Sequence, residues 1–351
     1  MVSPPPRALW EISKRALIAN VKEISRYAGK KVIAVVKANA YGHGIKTVVP
    51  ILETLPEVEF FAVSTPREGI QLRKTLGVKK PILLLSGFLP EEFETLKEYR
   101  LIPVVSDRYQ LRKVITRRVP YHLNLDTGMG RLGFRKLPPL ELLKRFPPQG
   151  VMTHFPSADV DPVYTLKQIG LFRKLIKPLR VKYVHAQNTA GLFYKVPFAN
   201  LVRVGLGIYG EYGSKRLKET SLKLTFPSVV KARIIGVRRL PKGCCISYGC
   251  RYKLKRTSWV GIIAFGYADG LDRRLFNRLK VFYRSRTYPV VGNITMDLTA
   301  IDFGNDKPSV GDWVQIINSE RTFSDVADLL GTIPYEIMTS IGSRVERKLV
   351  E

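Results

Sequence analysis

A lysine at the end of an apolar run is the first chemical signal in this sequence. Lys37 lies in the ten-residue segment 35–44, which reads VVKANAYGHG, so small residues and glycines follow it. Burial disfavours a charged amine, and the neutral amine is the form that reacts with a carbonyl group. An isolated lysine at a strand end more commonly reaches solvent, but this string is unusually specific. We therefore predict a nucleophilic lysine at position 37.

Further polar residues follow other apolar runs, where they could meet this lysine. They lie in short blocks rich in glycine and small residues, which let the backbone approach a ligand closely. The blocks are LDTGMGRLG at 125–133, MTHF at 152–155, HAQNTA at 185–190, VRVGLGIYG at 202–210, SYG at 247–249, GYADG at 266–270 and VGNITMD at 291–297.

The elements that position the earlier blocks alternate between strand and helix. Eight short β-rich runs are separated by helical patterns, which is the order of a (β/α)8 TIM barrel with its active site at the carboxyl ends of the strands. The helical patterns include 91–100, 107–117 and 164–179. The strand runs are 32–37, 59–64, 81–86, 101–105, 120–125, 150–154, 182–187 and 201–205.

The pattern changes near Ser221. Strand-like runs then follow one another with tight turns, and only 322–330 and 334–341 look helical, so we predict a mostly β C-terminal domain. The expected domains are a barrel at 14–221 and a β domain at 222–351, with an N-terminal strand at 1–13 lying on the β domain. The C-terminal strand runs are 229–238, 258–265, 279–283, 287–291, 298–302 and 313–317.

Composition restricts the class of protein. The chain lacks both an apolar run long enough to span a membrane and the pattern of a signal peptide, so we expect a cytoplasmic protein without membrane contact. Lys and Arg number 58 against 29 acidic residues, a net charge of +29 that would attract nucleic acid. These charges are spread along the whole chain without a nucleic-acid-binding motif, so specific nucleic-acid recognition is not expected.

Three cysteines crowd into one segment, at Cys244, Cys245 and Cys250. Their odd number and closeness favour free thiols in a reducing compartment over a disulfide framework. No second cluster completes a ligand set around them, so we expect no metal site.

In their order and content, these blocks resemble the alanine racemases, pyridoxal-phosphate-dependent isomerases built from a barrel and a β domain. The resemblance runs the length of the chain and agrees with the predicted elements. It implies that Lys37 binds pyridoxal 5'-phosphate covalently and that the chain interconverts L- and D-alanine, supplying D-alanine for peptidoglycan. It also implies a homodimer with shared active sites.

The resemblance assigns several residues to the cofactor. Arg203 is similar to the arginine that faces the pyridine nitrogen, where a permanent charge resists protonation of the ring and favours simple proton exchange. His154 resembles the histidine that holds the ring and this arginine. The expected phosphate-binding residues are Tyr41, Asn188, Thr189, Gly205 and Leu206.

Other residues are assigned to the substrate and to the second catalytic position. Tyr248 resembles the tyrosine that the partner subunit contributes, on the substrate face opposite Lys37, because racemisation needs a proton carrier on each face. Arg131 and the backbone amide of Met296 would bind the substrate carboxylate. Tyr267 would line the entrance.

Three positions depart from the family pattern. Asn124 stands where many members have a lysine that becomes carbamylated; its amide could hydrogen-bond Arg131 but cannot take that modification. Ser343 stands where a tyrosine is common, and Asn293 replaces a frequent arginine near the entrance. These changes concern the shape of the entrance and pocket rather than the type of reaction.

Three alternatives remain open. The same scaffold could serve a broad-specificity amino-acid racemase or a decarboxylase. A non-catalytic, cofactor-carrying barrel is a second alternative, although such proteins lack the β domain. A nucleic-acid binder is the third, and it rests only on the net charge.

Overall fold

The computed structural model describes residues 4–351, which form two compact units. The barrel unit comprises Arg15–Ala40 and Val48–Thr225. The β unit comprises the described residues up to Lys14, the short segment Tyr41–Thr47 and Phe226–Glu351. Residues 1–3 lie outside the described residues. They include the start of the predicted N-terminal strand and of the segment in which no signal peptide was predicted.

Eight parallel strands close the barrel, as predicted. Each strand pairs with the next along the chain, and β2 pairs with β9 to close the ring. Most strand residues are buried, as is typical of parallel strands covered on both faces. The strands are β2 (Lys31–Val35), β3 (Val58–Val63), β4 (Ile82–Leu84), β5 (Leu101–Val105), β6 (His122–Asn124), β7 (Gly150–Met152), β8 (Tyr183–His185) and β9 (Leu201–Val204).

Helices connect the barrel strands, and several begin at residues that cap them. Thr65, Asp107 and Asp161 accept hydrogen bonds from backbone N–H groups that have no partner within the first helical turn. The predicted helix 91–100 is shorter in the structure, where a 3-10 turn at Pro90–Glu92 leads into an α-helix at Phe93–Glu98. The helices are α1 (Lys14–Ala28), α2 (Ile45–Glu53), α3 (Pro66–Leu76), α4 (Phe93–Glu98), α5 (Arg108–Arg117), α6 (Leu140–Arg145), α7 (Pro162–Ile176) and α8 (Lys215–Lys218).

The β unit is built on one sheet in the order β11-β14-β13-β12-β15-β10-β1-β16, in which β10 also pairs with β11. The N-terminal strand β1 pairs antiparallel with β10 and parallel with β16. The six strand runs predicted here are all confirmed. The strands are β1 (Ala8–Ser13), β10 (Ser228–Leu240), β11 (Ser258–Ile263), β12 (Lys280–Tyr283), β13 (Arg286–Val291), β14 (Thr299–Gly304), β15 (Trp313–Ile317) and β16 (Glu346–Val350).

The final strand, β16, was not predicted. Its sequence, ERKLV, has a run of charged residues, and its side chains are exposed or half-buried. Such a strand at the edge of a sheet lacks the apolar alternation that identifies a strand in a sequence. The two predicted C-terminal helices are present, as α9 (Phe323–Leu330) and α10 (Pro334–Ser340).

The prediction of free cysteines is wrong for two of the three. Cys245 and Cys250 form a disulfide across a tight loop, with their Cα atoms 4.9 Å apart, and Cys244 stays free. The spacing rule fails here because the loop reverses direction between the two residues, and a Cα separation near 5 Å suits a disulfide.

Residues 4–351 contain neither a membrane-spanning helix nor a cluster of potential metal ligands. No helix in this range has the length and apolar character needed to cross a bilayer. No group of three or more His, Cys, Asp or Glu side chains there could hold a metal ion.

Candidate active site

A left-handed helical turn begins directly after the predicted nucleophile, Lys37. Strand β2 ends at Val35, and the helical turn Lys37–Tyr41 has left-handed backbone angles, with φ of 51° at Ala38 and 56° at Ala40. Left-handed helical conformation costs roughly 1–2 kcal/mol for each L-residue, so such a turn persists only where its surroundings impose it.

One carboxylate fixes the start of this turn. Glu68, in the first turn of α3, accepts the backbone N–H of Ala38 at 2.7 Å through Oε1. Its Oε2 accepts the N–H groups of Ser64 and Thr65 at 2.7 and 3.1 Å. A single side chain therefore ties the end of β3 to the residue that follows Lys37, a role that the sequence did not indicate.

Lys37 is half-buried at this edge of the barrel. Burial lowers the pKa of its amine, and the positive charges of Arg131 and Arg203 lower it further against the opposing charge of Glu68. The structure thus brings Lys37, Arg131 and Arg203 within electrostatic reach of one another, and it favours the neutral amine that nucleophilic attack requires.

Arg203 lies on β9 and is paired in register with Ile33 of β2. Strand β2 leads to Lys37. It is 4% exposed, so its charge must be satisfied within the protein. The guanidinium donates to Nδ1 of His185 at 2.7 Å, to Nδ1 of His154 at 2.9 Å and to the carbonyl of Thr153 at 3.0 Å.

The histidines around Arg203 are held neutral. Burial lowers the pKa of His154 to about 3, with further lowering by Arg203, Arg131 and Lys37. Burial and the charge of Arg203 also hold the pKa of His185 well below its usual value. Because a guanidinium can only donate, both histidines accept at Nδ1 and carry their proton on Nε2.

A third histidine extends this arrangement into the barrel. His185 Nε2 donates to Nδ1 of His122 at 2.9 Å, and burial lowers the pKa of His122 to about 3. The ring fits because position 150 is glycine; a Cβ on Gly150 would lie 2.6 Å from it. The sequence analysis missed His122. Its only signal was its position two residues before Asn124 on the same strand, which places both side chains on one face.

The loops after β8 and β9 contain four of the five predicted phosphate-binding residues, all except Tyr41. Thr189 Oγ1 accepts the N–H of Gly207 at 3.1 Å, which leaves the hydroxyl proton able to donate. Leu206 begins a 3-10 turn at Leu206–Tyr209, preceded by Gly205, and the first N–H groups of such a turn have no partner within it. These donors suit an anion.

Asn188 has a different environment. Its amide nitrogen donates to the carbonyl of Phe155 at 3.1 Å, and its oxygen accepts the N–H of Gly191 at 2.9 Å. Both ends of the side chain are thus bound to backbone, so Asn188 shapes the loop that carries Thr189.

Arg131 borders a cavity of about 730 Å³ at the barrel mouth, which Asp126 and Tyr164 also line. The neighbouring Asn124 donates to Ser106 Oγ at 3.1 Å and to the carbonyl of Leu132 at 3.0 Å. Among the hydrogen bonds recorded for residues 4–351, none joins Asn124 to Arg131. The contact considered from the sequence is therefore not formed.

Tyr41, Tyr248, Tyr267 and Met296 belong to the β unit. Tyr41 is buried and its ring centroid lies 5.8 Å from that of Tyr335. The other three have exposed side chains, Tyr248 the most at 75%. Tyr267 and Met296 lie on adjoining loops, because Tyr267 N–H donates to the carbonyl of Thr295 at 3.0 Å.

At two of the positions that depart from the family pattern, 343 and 293, nearby side chains form ion pairs or hydrogen bonds with these loops. Arg344, next to the exposed Ser343, bridges Asp269 at 2.8 Å and Asp297 at 2.7 Å, which lie on the loops of Tyr267 and Met296. Asn293 Nδ2 donates to the carbonyl of Tyr248 at 2.7 Å. The replacement at 293 therefore supports the backbone of the Tyr248 loop, a role that the sequence did not indicate.

Comparison with known proteins gives one consistent result. The chain matches the sequence profiles described as "Alanine racemase, N-terminal domain" over residues 12–213 and "Alanine racemase, C-terminal domain" over residues 228–349. An alanine racemase of Aquifex pyrophilus is 46% identical over 346 residues, covering 98% of this chain and 99% of the relative. One of Aquifex aeolicus is 42% identical over 346 residues, covering 98% of this chain and 100% of that relative.

A solved structure agrees. An alanine racemase from Bartonella henselae with covalently bound pyridoxal phosphate superimposes with a TM-score of 0.90 at 28% sequence identity. The match covers 99% of this chain and 100% of that one.

The buried histidines predict a specific acid sensitivity. The pKa of His122 is about 3 in the folded chain and 6.5 in an unfolded one, so unfolding takes up a proton between these pH values. Stability from this group is complete above pH 6.5 and is lost as the pH falls towards 3. His122→Gln keeps an acceptor for His185 but does not titrate. It should therefore lower the slope of the free energy of unfolding against pH by up to about 1.4 kcal/mol per pH unit.

Urea unfolding at several pH values from 4 to 8 measures this slope. The variant and the parent chain should have parallel profiles above pH 7 and should diverge below it, with the variant less sensitive to acid. Equal slopes below pH 6 would show that His122 is not held neutral.

Proposed function

The chain belongs to the alanine racemase family, and on this premise we propose that it interconverts L- and D-alanine with pyridoxal 5'-phosphate. The observation that carries the proposal is the half-buried Lys37, whose amine has a lowered pKa beside the buried guanidinium of Arg203. A neutral amine for covalent attachment and a fixed positive charge are the two features that this cofactor and this reaction need.

The residues of the barrel unit fit the cofactor. Lys37 offers the amine that binds the aldehyde carbon, and the loops after β8 and β9 offer anion donors at Thr189, Gly205 and Leu206. We propose that these three bind the phosphate, with Tyr41 as a further donor. Asn188 then acts through the loop, because both ends of its side chain are bound to backbone.

When bound, pyridoxal phosphate withdraws electrons from the substrate Cα as its proton leaves. We propose that Arg203 faces the ring nitrogen. As a permanent cation held by two neutral histidines and a carbonyl, it has no proton to give and resists protonation of its neighbour. Weaker electron withdrawal favours return of a proton to Cα over transamination. His154 keeps this guanidinium in place.

Substrate binding and proton transfer fall to other residues. Arg131, beside the cavity at the barrel mouth, is proposed to bind the substrate carboxylate together with the backbone N–H of Met296. We propose that Lys37 would take or return the Cα proton on one face. A second carrier must serve the other face.

We propose that Tyr248 is this second carrier and that a partner subunit supplies it. Its side chain is 75% exposed in the chain by itself, and Met296 and Tyr267 of the same unit are exposed as well. Tyr248 also borders a mainly apolar cavity of about 610 Å³ in the β unit, as a surface covered by another subunit would. A homodimer with Tyr267 at the entrance accounts for these exposures.

The alternatives have less support. A non-catalytic barrel is disfavoured because the chain also matches the C-terminal domain profile at residues 228–349. The relatives and the solved structure described above are all alanine racemases, so nothing in them favours a broad-specificity racemase. A cytoplasmic location remains a prediction.

Substitution of the nucleophile tests the attachment directly. Lys37→Ala should abolish racemisation, and borohydride treatment should no longer fix the cofactor to the peptide that contains position 37. Lys31→Ala is the matched control, because Lys31 begins the strand that leads to Lys37 and forms an exposed ion pair with Glu59. The control should keep both properties. A borohydride-fixed cofactor in Lys37→Ala, located by peptide mass spectrometry, would refute the assignment.

Mixed dimers test whether Tyr248 acts on the partner's site. Lys37→Ala and Tyr248→Phe homodimers should each be almost inactive, because every site carries one defect. In a mixed dimer one site collects both defects and the other is intact. Co-refolding equal amounts should therefore restore about a quarter of the activity of refolded parent protein, since about half of the dimers are mixed.

Each variant refolded alone is the control and should recover nothing. Native mass spectrometry should establish that mixed dimers have formed. If it detects them and activity stays at the level of the single variants, Tyr248 does not act in the partner's site.

A further inference from the structure

The proposed second catalytic residue lies inside a loop closed by a disulfide. Cys245 and Cys250 are five positions apart and bonded, and Tyr248 lies between them. In the chain by itself Cys245 is exposed and Cys250 is half-buried. The neighbouring Cys244 is free and packs instead against an apolar cluster that includes Val260 and Ala300.

The backbone of this loop does not hold its shape on local preference. Ser247, Gly249 and Cys250 all have positive φ, at 62°, 71° and 48°. Two of these, Ser247 and Cys250, are L-residues with a side chain, which this region of φ disfavours. The surrounding contacts must therefore impose the conformation.

Three hydrogen bonds and the disulfide restrain the loop around Tyr248. The Ile246 N–H donates to the carbonyl of Tyr252 at 3.0 Å. Ser247 Oγ donates to the carbonyl of Asn293 at 2.6 Å, and Asn293 Nδ2 donates to the carbonyl of Tyr248 at 2.7 Å. The Tyr248 side chain is 75% exposed in the chain by itself, so within its own chain the backbone of the loop is what positions the phenol.

We infer that the Cys245–Cys250 disulfide is a positioning element for Tyr248 and makes the activity sensitive to thiol reductants. The inference rests on the proposed role of Tyr248 as a proton carrier. A dithiol reduces the bond to two cysteine thiols with two electrons and two protons, and the dithiol itself becomes a disulfide. The reduced loop keeps its hydrogen bonds to Asn293 but is no longer closed by a covalent bond. The phenol of Tyr248 is then held less firmly in position.

Peptide mapping establishes the bond. Alkylation of the folded, unreduced protein should label Cys244 alone, and labelling after reduction should reach all three cysteines. Full labelling of Cys245 and Cys250 without reduction would overturn the inference.

Activity under reduction tests the consequence. Dithiothreitol should slow racemisation by roughly three- to tenfold, the order expected for misplacing a catalytic group by a fraction of an ångström, and reoxidation should restore it. The double variant Cys245→Ser/Cys250→Ser should racemise alanine at the rate of the reduced parent protein, and the reductant should not change this rate. The variant therefore controls for effects of the reagent on the cofactor. Cys244→Ser is the matched control and should behave as the parent protein does in both conditions.

Isotope effects distinguish positioning from general loss of structure. With α-deuterated L- and D-alanine, Tyr248 removes the deuteron in one direction and Lys37 removes it in the other. Reduction should raise the substrate isotope effect only in the direction served by Tyr248. An equal change in both directions, or no change in rate with the bond broken, would overturn the inference.

Failure of the proposed function would look different. In that case the parent protein would lack racemase activity, or Tyr248→Phe would retain it, whatever the mapping shows. If the double serine variant does not fold, reduction of the folded parent protein measures the same effect without substitution.

Discussion

A permanently charged guanidinium lies inside the barrel, and much of the site depends on keeping it there. Arg203 donates to two histidine nitrogens and a carbonyl oxygen. These acceptors remain available only while His154 and His185 are neutral, and burial with the charge of Arg203 itself ensures this. The cation and its supports therefore stabilise one another, and loss of either leaves buried polar groups unpaired.

The same charge acts on Lys37, across the strand pair that closes the barrel. Strand β9 pairs with β2, so the strand that carries Arg203 lies beside the strand that leads to Lys37. Arg131 and Arg203 both lower the pKa of Lys37, and Glu68 moderates this effect while it anchors the left-handed turn. The closing of the barrel therefore brings together the amine, the fixed cation and the strained turn. Each of them depends on contacts between residues that are distant in the sequence.

Patterns with a regular period could be predicted from the sequence, whereas single contacts could not. All eight barrel strands were predicted because buried parallel strands are apolar along their length. The edge strand β16 was not predicted, because its charged residues interrupt the apolar sequence pattern by which strands are identified. The left-handed turn was missed because its residues are not glycine and Glu68, a distant residue, imposes its shape.

The site was predicted unevenly for the same reason. Lys37 and Arg203 lie in distinctive blocks, and the structure brings them within electrostatic reach. His122 gave no signal of its own, because its role depends on the proton arrangement of His185, which Arg203 fixes. The pairing of Cys245 with Cys250 depends on the path of one tight loop, which cysteine spacing does not determine.

The central claim is that a buried, permanently charged arginine confines the chemistry to proton exchange at Cα. Incubation of the loaded protein with L-alanine in D₂O, followed by NMR and chiral chromatography, tests it most directly. D-Alanine should appear with deuterium at Cα and approach equal amounts of the two enantiomers, while total alanine stays constant. Conversion of alanine to pyruvate, or release of carbon dioxide, at a rate comparable to that of D-alanine formation would contradict the claim.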